Sequence, residues 1–267
     1  MSPTGWRRLY GGLIVAVFAA LAWWRQDLLC QAFEVTWRQV LGGGPGRWRV
    51  LAEAALFFGI LALTWRAILW RADLARDSVA VALAAAAGLA AEAWGTRTGL
   101  WTYYTGERPP LWIVPAWPLG ALVVDRLSTW AQQRWEKKLG AQACRSGYWM
   151  LAGASAAVLL VFWGPWLGSA GTLGVLAACL AVLALRPVLP KDFFVLGAGL
   201  LSVLLADTWG TTNGCWSYYT QAQGKGFTPG IAFGMAFDSI LVLACLKVAA
   251  ALQDPVGKKL GNNGEGT

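Results

Sequence analysis

Histidine is absent from this sequence of 267 residues, and only 13% of the residues are charged. Without His, the chain cannot form a His-clustered di-iron site, a His-ligated haem, an HExxH zinc site or a Ser-His or Cys-His catalytic pair. The five cysteines are scattered and include no C-x-x-C pair, which is typical of small apolar fillers in membrane helices. The sequence therefore predicts neither a metal site nor a disulfide framework.

Hydrophobic residues make up 57% of the chain, and Trp alone occurs 18 times. A helix that crosses a bilayer needs about 20 mainly apolar residues, and eight apolar stretches of about that length, or slightly shorter, follow one another. We therefore predict an all-α polytopic membrane protein with about eight transmembrane helices. The stretches lie at 10–24, 50–65, 78–94, 111–130, 148–167, 171–189, 192–209 and 229–252.

The formal net charge is +8. In a chain this apolar, we attribute the charge to basic cytoplasmic loops and not to a nucleic-acid partner. Most Lys and Arg residues fall in loops that an eight-helix topology with a cytoplasmic N-terminus places inside. We thus predict an integral protein of a bacterial inner membrane with both termini in the cytoplasm. The more polar stretch 25–48 is predicted to lie along the interface.

One motif occurs twice. Residues 92–104 read EAWGTRTGLWTYY, and residues 207–219 read DTWGTTNGCWSYY. The copies share W-G-T-x-x-G-x-W-x-Y-Y behind an acidic residue, which indicates an internal duplication. We predict a first membrane repeat at 1–140, which includes the insertion, a second repeat at 148–252 and a polar tail at 253–267.

Each predicted repeat has four helices, so the repeats run parallel, related by an axis along the membrane normal. Both motifs then lie on one face of the membrane, and their acids, Glu92 and Asp207, can reach one central cavity. Each copy is followed by a Pro-containing stretch and by another helix with an acid, Asp125 or Asp238. We take these four acids as the candidate catalytic residues.

The motif combines carboxyl groups with aromatic rings. An apolar setting favours the neutral form of a carboxyl group. A neutral acid can protonate an unactivated C=C bond, and aromatic faces stabilise the carbocation that results. The candidate substrate-binding residues are the aromatic members of the two copies: Trp94, Trp101, Tyr103, Tyr104, Trp209, Trp216, Tyr218 and Tyr219.

Other interpretations stay open. Glu92 and Asp207 could cap loops while the aromatic rings pack the repeats together, and Asp125 could form a local ion pair with Arg126. The pair Asp73–Asp77 is predicted to lie in a solvated loop. At the level of function, the alternatives are a membrane transporter of a small lipid or cation, which also suits duplicated halves with central acids, and a structural or pigment-binding subunit.

The acid, the G-x-W-x-Y element, the Pro-bearing loop and the further helix together resemble the integral-membrane carotenoid 1,2-hydratases and the related lycopene cyclases. The resemblance covers 92–125 and 207–238. It implies a cofactor-independent, proton-initiated hydration or cyclisation of a lipid-soluble isoprenoid, by a lyase or an isomerase, with Glu92 and Asp207 as acids. The stretches PAWPLG and PGIAFG lack the Pro-x-Glu-Glu element of the cyclases.

Overall fold

The computed structural model describes residues 3–27, 30, 34, 37 and 46–261, with backbone only at residue 3 and from residue 254 onward. The chain divides into two compact units, Met1–Leu74 and Ala75–Thr267. Most of the predicted interfacial insertion at 25–48 lies outside the described residues, and so does the end of the predicted polar tail. The first part of that tail continues a helix as far as Gly261.

Two apolar helices form the described part of the first unit: α1 (Pro3–Trp24) and α2 (Arg47–Leu69). They pack against each other, and Gly11 of α1 lies under the ring of Trp65 of α2, where an added Cβ would be 3.4 Å from the ring. At the start of α2, Arg49 and Glu53 form an ion pair one turn apart at 2.8 Å.

The second unit consists of helices and one short two-stranded ribbon. Helices α4, α6 and α8 pack against one another, and single 3₁₀ turns precede and follow α4, at Leu111–Ile113 and Gly164–Trp166. The elements in chain order are α3 (Leu74–Thr98), β1 (Trp101–Tyr103), α4 (Ala116–Trp163), α5 (Ala170–Ala184), α6 (Lys191–Thr212), β2 (Trp216–Tyr218), α7 (Tyr219–Ala222) and α8 (Thr228–Gly261).

The chain is helical in the way its composition predicts. Among the described residues, six helices are long and apolar enough to cross a membrane. The sequence predicts eight spans, and the difference arises in two places. The predicted spans 111–130 and 148–167 fall in the single helix α4, whose backbone is non-helical at Gly140 (φ 75°, ψ 162°). The helix α5 has only 15 residues, fewer than the roughly 20 that a span requires.

The two copies of the motif end their helices in the same way. Gly99 and Gly214 have φ values of +75° and +68°, in the left-handed region that glycine adopts without a steric penalty. Behind these glycines, Leu100 N–H donates to Gly95 O at 3.0 Å, and the equivalent bond from Cys215 measures 2.8 Å. Such a 6→1 bond belongs to the Schellman motif, which stops a helix and turns the chain back. The turns direct both strands toward each other.

An aromatic core supports these turns. The ring of Trp94 contacts Trp163 edge-on, with centroids 5.3 Å apart. Phe162 stacks on Phe233 of α8 at 4.2 Å, and Phe233 stacks on Phe237 one turn later at 5.5 Å. Aromatic pairs of this kind stabilise packing by about 0.5–1.5 kcal/mol beyond the burial of their area. The core therefore fixes α3, α4 and α8 around the place where the motifs meet.

Candidate functional site

The two copies of the motif meet in the antiparallel ribbon of β1 and β2. Thr102 lies opposite Ser217, its counterpart in the other copy, and their hydroxyl oxygens are 3.3 Å apart. The backbone N–H of Tyr104 donates to Cys215 O at 3.2 Å, and the equivalent bond of the other copy measures 3.0 Å. Because equivalent positions make equivalent bonds, the ribbon has a local two-fold axis between Thr102 and Ser217.

Glu92, the acid of the first copy, is buried and accepts three hydrogen bonds. The indole Nε1 of Trp101 and the hydroxyl of Tyr103 each donate to it at 3.0 Å. The third donor is Nε1 of Trp117, at 3.2 Å, from the start of α4. The first two donors belong to the motif itself. The W-x-Y spacing therefore places two donors from one strand on the carboxyl group of the preceding helix.

Asp207, the acid of the second copy, is buried in the same manner. The hydroxyl of Tyr218 donates to Oδ2 at 2.8 Å, and the indole of Trp216 is a second donor. Helix α8 passes close by at Gly234, where an added Cβ would lie 1.9 Å from Asp207 Oδ2. The absence of a side chain at Gly234 thus leaves room for the Asp207–Tyr218 hydrogen bond.

A glycine lies beneath each tryptophan that reaches an acid. A Cβ added at Gly95 would be 1.9 Å from the ring of Trp101, and one added at Gly210 would be 2.0 Å from the ring of Trp216. No side chain larger than hydrogen fits either position. These contacts explain the first glycine of W-G-T-x-x-G-x-W, as the helix stop explains the second.

Glu92, Asp207 and Asp238 line a single cavity of about 190 Å³. Small and aliphatic residues of α4, α6 and α8 complete the wall, together with Ser202 of α6. The structure thus brings together the two motif acids and one of the two further candidate acids. The aromatic residues of the wall are Trp101, Tyr103, Trp117, Trp216, Tyr218 and Phe233.

Asp238 differs from the two motif acids in its surroundings. Within the described part of the chain, no hydrogen-bond donor reaches its carboxyl group, whereas Glu92 accepts three hydrogen bonds. The residue that follows it in α8 is Ser239, so no neighbouring cation is available in sequence. Asp238 therefore faces the cavity as an acid without a fixed partner.

Asp125, the other candidate on the helix after a motif, does not line this cavity. It forms an ion pair with Arg126, which is 2% exposed, and lies 3.6 Å from Arg76. Arg126 also pairs with Asp77 at 2.5 Å. These charges line a separate cavity of about 160 Å³. The geometry supports the ion-pair interpretation of Asp125 and separates it from the other three acids.

Asp77 corrects one expectation from the sequence. The sequence places it in a solvated loop, but the residue is only 2% exposed and belongs to the first turn of α3. Its partner, Arg126, lies 49 positions later. The prediction is wrong for Asp77 because a cation far away in sequence forms a buried ion pair with it.

Several motif aromatics lie outside the cavity wall. Tyr104 is 52% exposed. The hydroxyl of Tyr219 donates to Phe162 O at 2.6 Å, and Trp94 packs in the aromatic core described above. Trp209 does not line the cavity either. The candidate binding wall therefore reduces to the W-x-Y residues of each copy, without the flanking Trp and Tyr.

Two wall residues, Trp117 and Phe233, are not among the sequence candidates. Trp117 belongs to the stretch PAWPLG. In the sequence, this stretch is notable only because it lacks the two glutamates of the Pro-x-Glu-Glu element. One sequence feature relates to this residue: Gly88 lies in the predicted helix that precedes the helix of Trp117. In the structure, a Cβ added at Gly88 would lie 2.1 Å from the indole of Trp117. Only the fold shows that this glycine makes room for that ring.

A tyrosine hydroxyl group is protonated at neutral pH, and the surroundings of the two ribbon tyrosines favour this form further. Burial, and then the neighbouring Glu92 carboxyl group, raise the pKa of Tyr103 well above its ordinary value. Burial and Asp207 do the same to the pKa of Tyr218. Both phenols therefore remain protonated over the whole physiological pH range and hold their acids as donors.

Comparison with models of known protein families, with curated proteins and with solved structures finds no match for this chain. Within the described residues, no group of three or more Cys, Asp or Glu side chains has the geometry to hold a metal ion.

Proposed function

We propose that the chain is a membrane enzyme that performs proton-initiated hydration or cyclisation of an acyclic isoprenoid, without a cofactor. The observation that carries the proposal is the convergence of Glu92, Asp207 and Asp238 on one cavity walled by tryptophan, tyrosine and phenylalanine rings. The carboxyl groups can give and take protons. The aromatic faces stabilise a carbocation.

The size of the cavity supports a reaction at the end of a chain. Sites for drug-sized ligands have volumes of about 300–1,000 Å³, and an engineered cavity of about 150 Å³ binds benzene. At about 190 Å³, this cavity holds one branched end group and not a whole polyene. The remainder of a long substrate would stay in the surrounding lipid.

Ser202 favours hydration over cyclisation. Its hydroxyl lines the cavity and, in the part of the chain that the structure describes, has no hydrogen-bond partner. A buried polar group of this kind is commonly satisfied by a water molecule. A water bound there would lie beside the carboxyl groups and is the nucleophile that captures a tertiary carbocation as an alcohol.

The finer architecture that suits this function is eight spans in two parallel repeats, with both termini in the cytoplasm of a bacterial cell. The break of α4 at Gly140 supports two spans in place of one. The shared contacts of the two motifs with each other support placing both on the same, external face. An isoprenoid dissolved in the bilayer is the substrate that such a protein could reach.

The test is expression in bacterial cells that accumulate lycopene or other acyclic isoprenoids, with product analysis by chromatography and mass spectrometry. We expect a product heavier by one water molecule. General acid–base groups contribute about 10²–10⁴-fold to a rate, so we expect Glu92→Gln and Asp207→Asn each to reduce its formation at least about 100-fold.

Glu107→Gln is the matched control, because Glu107 is exposed and lies in the loop after the first motif, outside the cavity. It should leave the product level unchanged. Pigment and lipid profiles that stay the same with every substrate, while the protein is present in the membrane, would overturn the proposal.

A further inference from the structure

The three carboxyl groups of the cavity have unequal roles. On the basis of the function proposed above, we propose that Asp238 is the proton donor and that Glu92 and Asp207 are fixed carboxylates that hold the resulting cation. Three features distinguish these acids: the number of hydrogen-bond donors around each carboxyl group, the position of Asp238 in the cavity wall, and the ion pairs that hold Asp125 elsewhere.

Glu92 is built as an acceptor. Two indole N–H groups and one phenol donate to its two oxygens, and none of these three donors can accept a proton in return at neutral pH. An ionised carboxylate has only acceptor sites, whereas the hydrogen of a protonated one could be accepted by the Tyr103 hydroxyl alone, because an indole N–H is a donor only. Hydrogen bonds to the charged form favour that form.

Asp207 repeats this design with fewer donors. Tyr218 donates to it at 2.8 Å, and Trp216 is the second donor. The two carboxylates and the aromatic rings around them produce a negative potential in the cavity, which is the electrostatic complement of a tertiary carbocation.

Asp238 has the opposite surroundings. Among the residues that the structure describes, none donates a hydrogen bond to it, and the charged or titratable groups that line the cavity with it are Glu92, Asp207, Tyr103 and Tyr218. Two of these are carboxyl groups, and a like charge nearby disfavours ionisation. A carboxyl group with no donor and with acidic neighbours holds its proton, so Asp238 is the member of the three that has a proton to give.

The first half of the chain has no such donor in the cavity. Asp125 occupies the corresponding helix after the first motif but is held by Arg126 and Arg76 on the side of the second cavity. Its carboxyl group is engaged in ion pairs outside the cavity that the other three acids line. Only the second half of the chain therefore supplies a proton donor to the cavity, so the substrate is protonated from one side.

The reaction balances with these groups alone. The O–H bond of Asp238 breaks as the π electrons of the terminal C=C bond form a C–H bond, which leaves a carboxylate on Asp238 and a tertiary cation on the substrate. Water at Ser202 then forms the C–O bond, and its proton passes within the cavity to the carboxylate of Asp238. This transfer restores the starting state.

The different roles of the three carboxyl groups are tested with two ligands of the same shape, one charged and one neutral. N,N-dimethylgeranylamine is a cation at neutral pH, and its neutral analogue has a carbon atom in place of the nitrogen. Binding of each is measured in detergent-solubilised protein by the fluorescence of the cavity tryptophans. We expect the wild type to prefer the cation about 10-fold or more, because cation–π contacts and two carboxylates favour it.

Two variants separate the roles. Glu92→Gln with Asp207→Asn should remove the preference for the cation, whereas Asp238→Asn should keep the wild-type preference within about twofold, since it exchanges one neutral side chain for another. With an isoprenoid substrate, Asp238→Asn should lose product formation and Asp238→Glu should recover part of it. Unchanged size-exclusion profiles confirm that the variants are folded.

The possible failures are distinct. An Asp238→Asn variant that loses the cation preference, or that still forms product, would overturn the role of Asp238. A wild type that forms no product from any isoprenoid would overturn the proposed function, and the two-ligand comparison would then still decide which carboxyl groups carry the charge.

Discussion

At the scale of single residues, the site depends on two positions that have no side chain. Gly95 and Gly210 occupy the same place in the two copies of the motif, and each lies against a tryptophan ring that donates to the acid one turn before the glycine. Glycine in a helix costs about 0.5–1 kcal/mol relative to Ala. At these two positions that cost is offset by a contact that no other residue allows.

We predict that Gly210→Ala destabilises the protein although alanine favours helices. Its Cβ would lie 2.0 Å from the ring of Trp216, and overpacking of this kind costs about 1–3 kcal/mol. Gly197→Ala, in the same helix, is the matched control, because nothing lies within 4 Å of its added Cβ. Thermal unfolding in detergent should show a lower midpoint for the first variant and an equal or higher midpoint for the second. Equal midpoints for both variants would contradict the packing argument.

The site residues that belong to the duplicated motif could be predicted from the sequence. The two motif acids and the four W-x-Y aromatics of the wall are all sequence candidates, since a repeated acid-plus-aromatic pattern is visible without a structure. Asp125 and Asp238 could not be separated with the same certainty, because the direction of a side chain around a helix depends on packing. Trp117 was missed because its contact with Gly88 joins two different helices, and the sequence does not show how these helices pack.

At the scale of elements, α3 and α4 are joined by a buried charge cluster. Arg126 of α4 pairs with Asp77 in the first turn of α3 and with its own neighbour Asp125. Removing one partner of a buried pair leaves an uncompensated charge, which costs about 3–5 kcal/mol. The cluster therefore fixes the start of α3 against the third turn of α4, outside the cavity with the three acids.

We predict that Arg126→Met strongly lowers the thermal midpoint in detergent, and that adding Asp77→Asn to it restores at least half of the loss by removing the unpaired charge. Arg49→Ala serves as control, because the Arg49–Glu53 pair has an arginine that is 68% exposed, and exposed pairs contribute only about 0–1 kcal/mol. An Arg126→Met variant as stable as this control would show that the cluster does not hold the helices.

The ribbon of β1 and β2 gives a second prediction at this scale. Residues opposite each other in an antiparallel pair have Cα atoms about 4.5–5.5 Å apart, within the range of a disulfide. In a variant without the native cysteines, Thr102→Cys with Ser217→Cys should form a disulfide that mass spectrometry detects in unreduced digests. The pair Thr105→Cys with Ser217→Cys is the control, since Thr105 lies in the turn beyond β1. Cross-linking of both pairs to the same extent would contradict the register.

The sequence did not predict this ribbon. Three residues per strand give too short a pattern for an alternation to be recognised, and the pairing joins segments that are 115 positions apart. The helices were easier to predict, because their apolar stretches are long. The predicted gap between 111–130 and 148–167 contains Gly140, where the backbone of α4 is non-helical.

At the scale of the whole molecule, the predicted topology is testable at exposed positions. Glu107 and Lys225 lie in the two loops after the motifs, and Lys137 lies near the break in α4; all three are exposed. With eight spans and cytoplasmic termini, a membrane-impermeant maleimide should label Glu107→Cys and Lys225→Cys in intact spheroplasts but Lys137→Cys only after permeabilisation. Labelling of all three in intact spheroplasts would contradict this topology.

The antiparallel meeting of the two motif copies has a consequence for how such a cavity can arise. Contact through the same patch on both sides is the geometry of a C2 homodimer, here formed within one chain. Two identical subunits would have the same aspartate on both sides, either two that line the cavity or two that are held by arginines outside it. Once both copies lie in one polypeptide, each can change alone. The two helices that follow the motifs differ in this way: Asp125 is held in an ion pair with Arg126, whereas Asp238 lines the cavity.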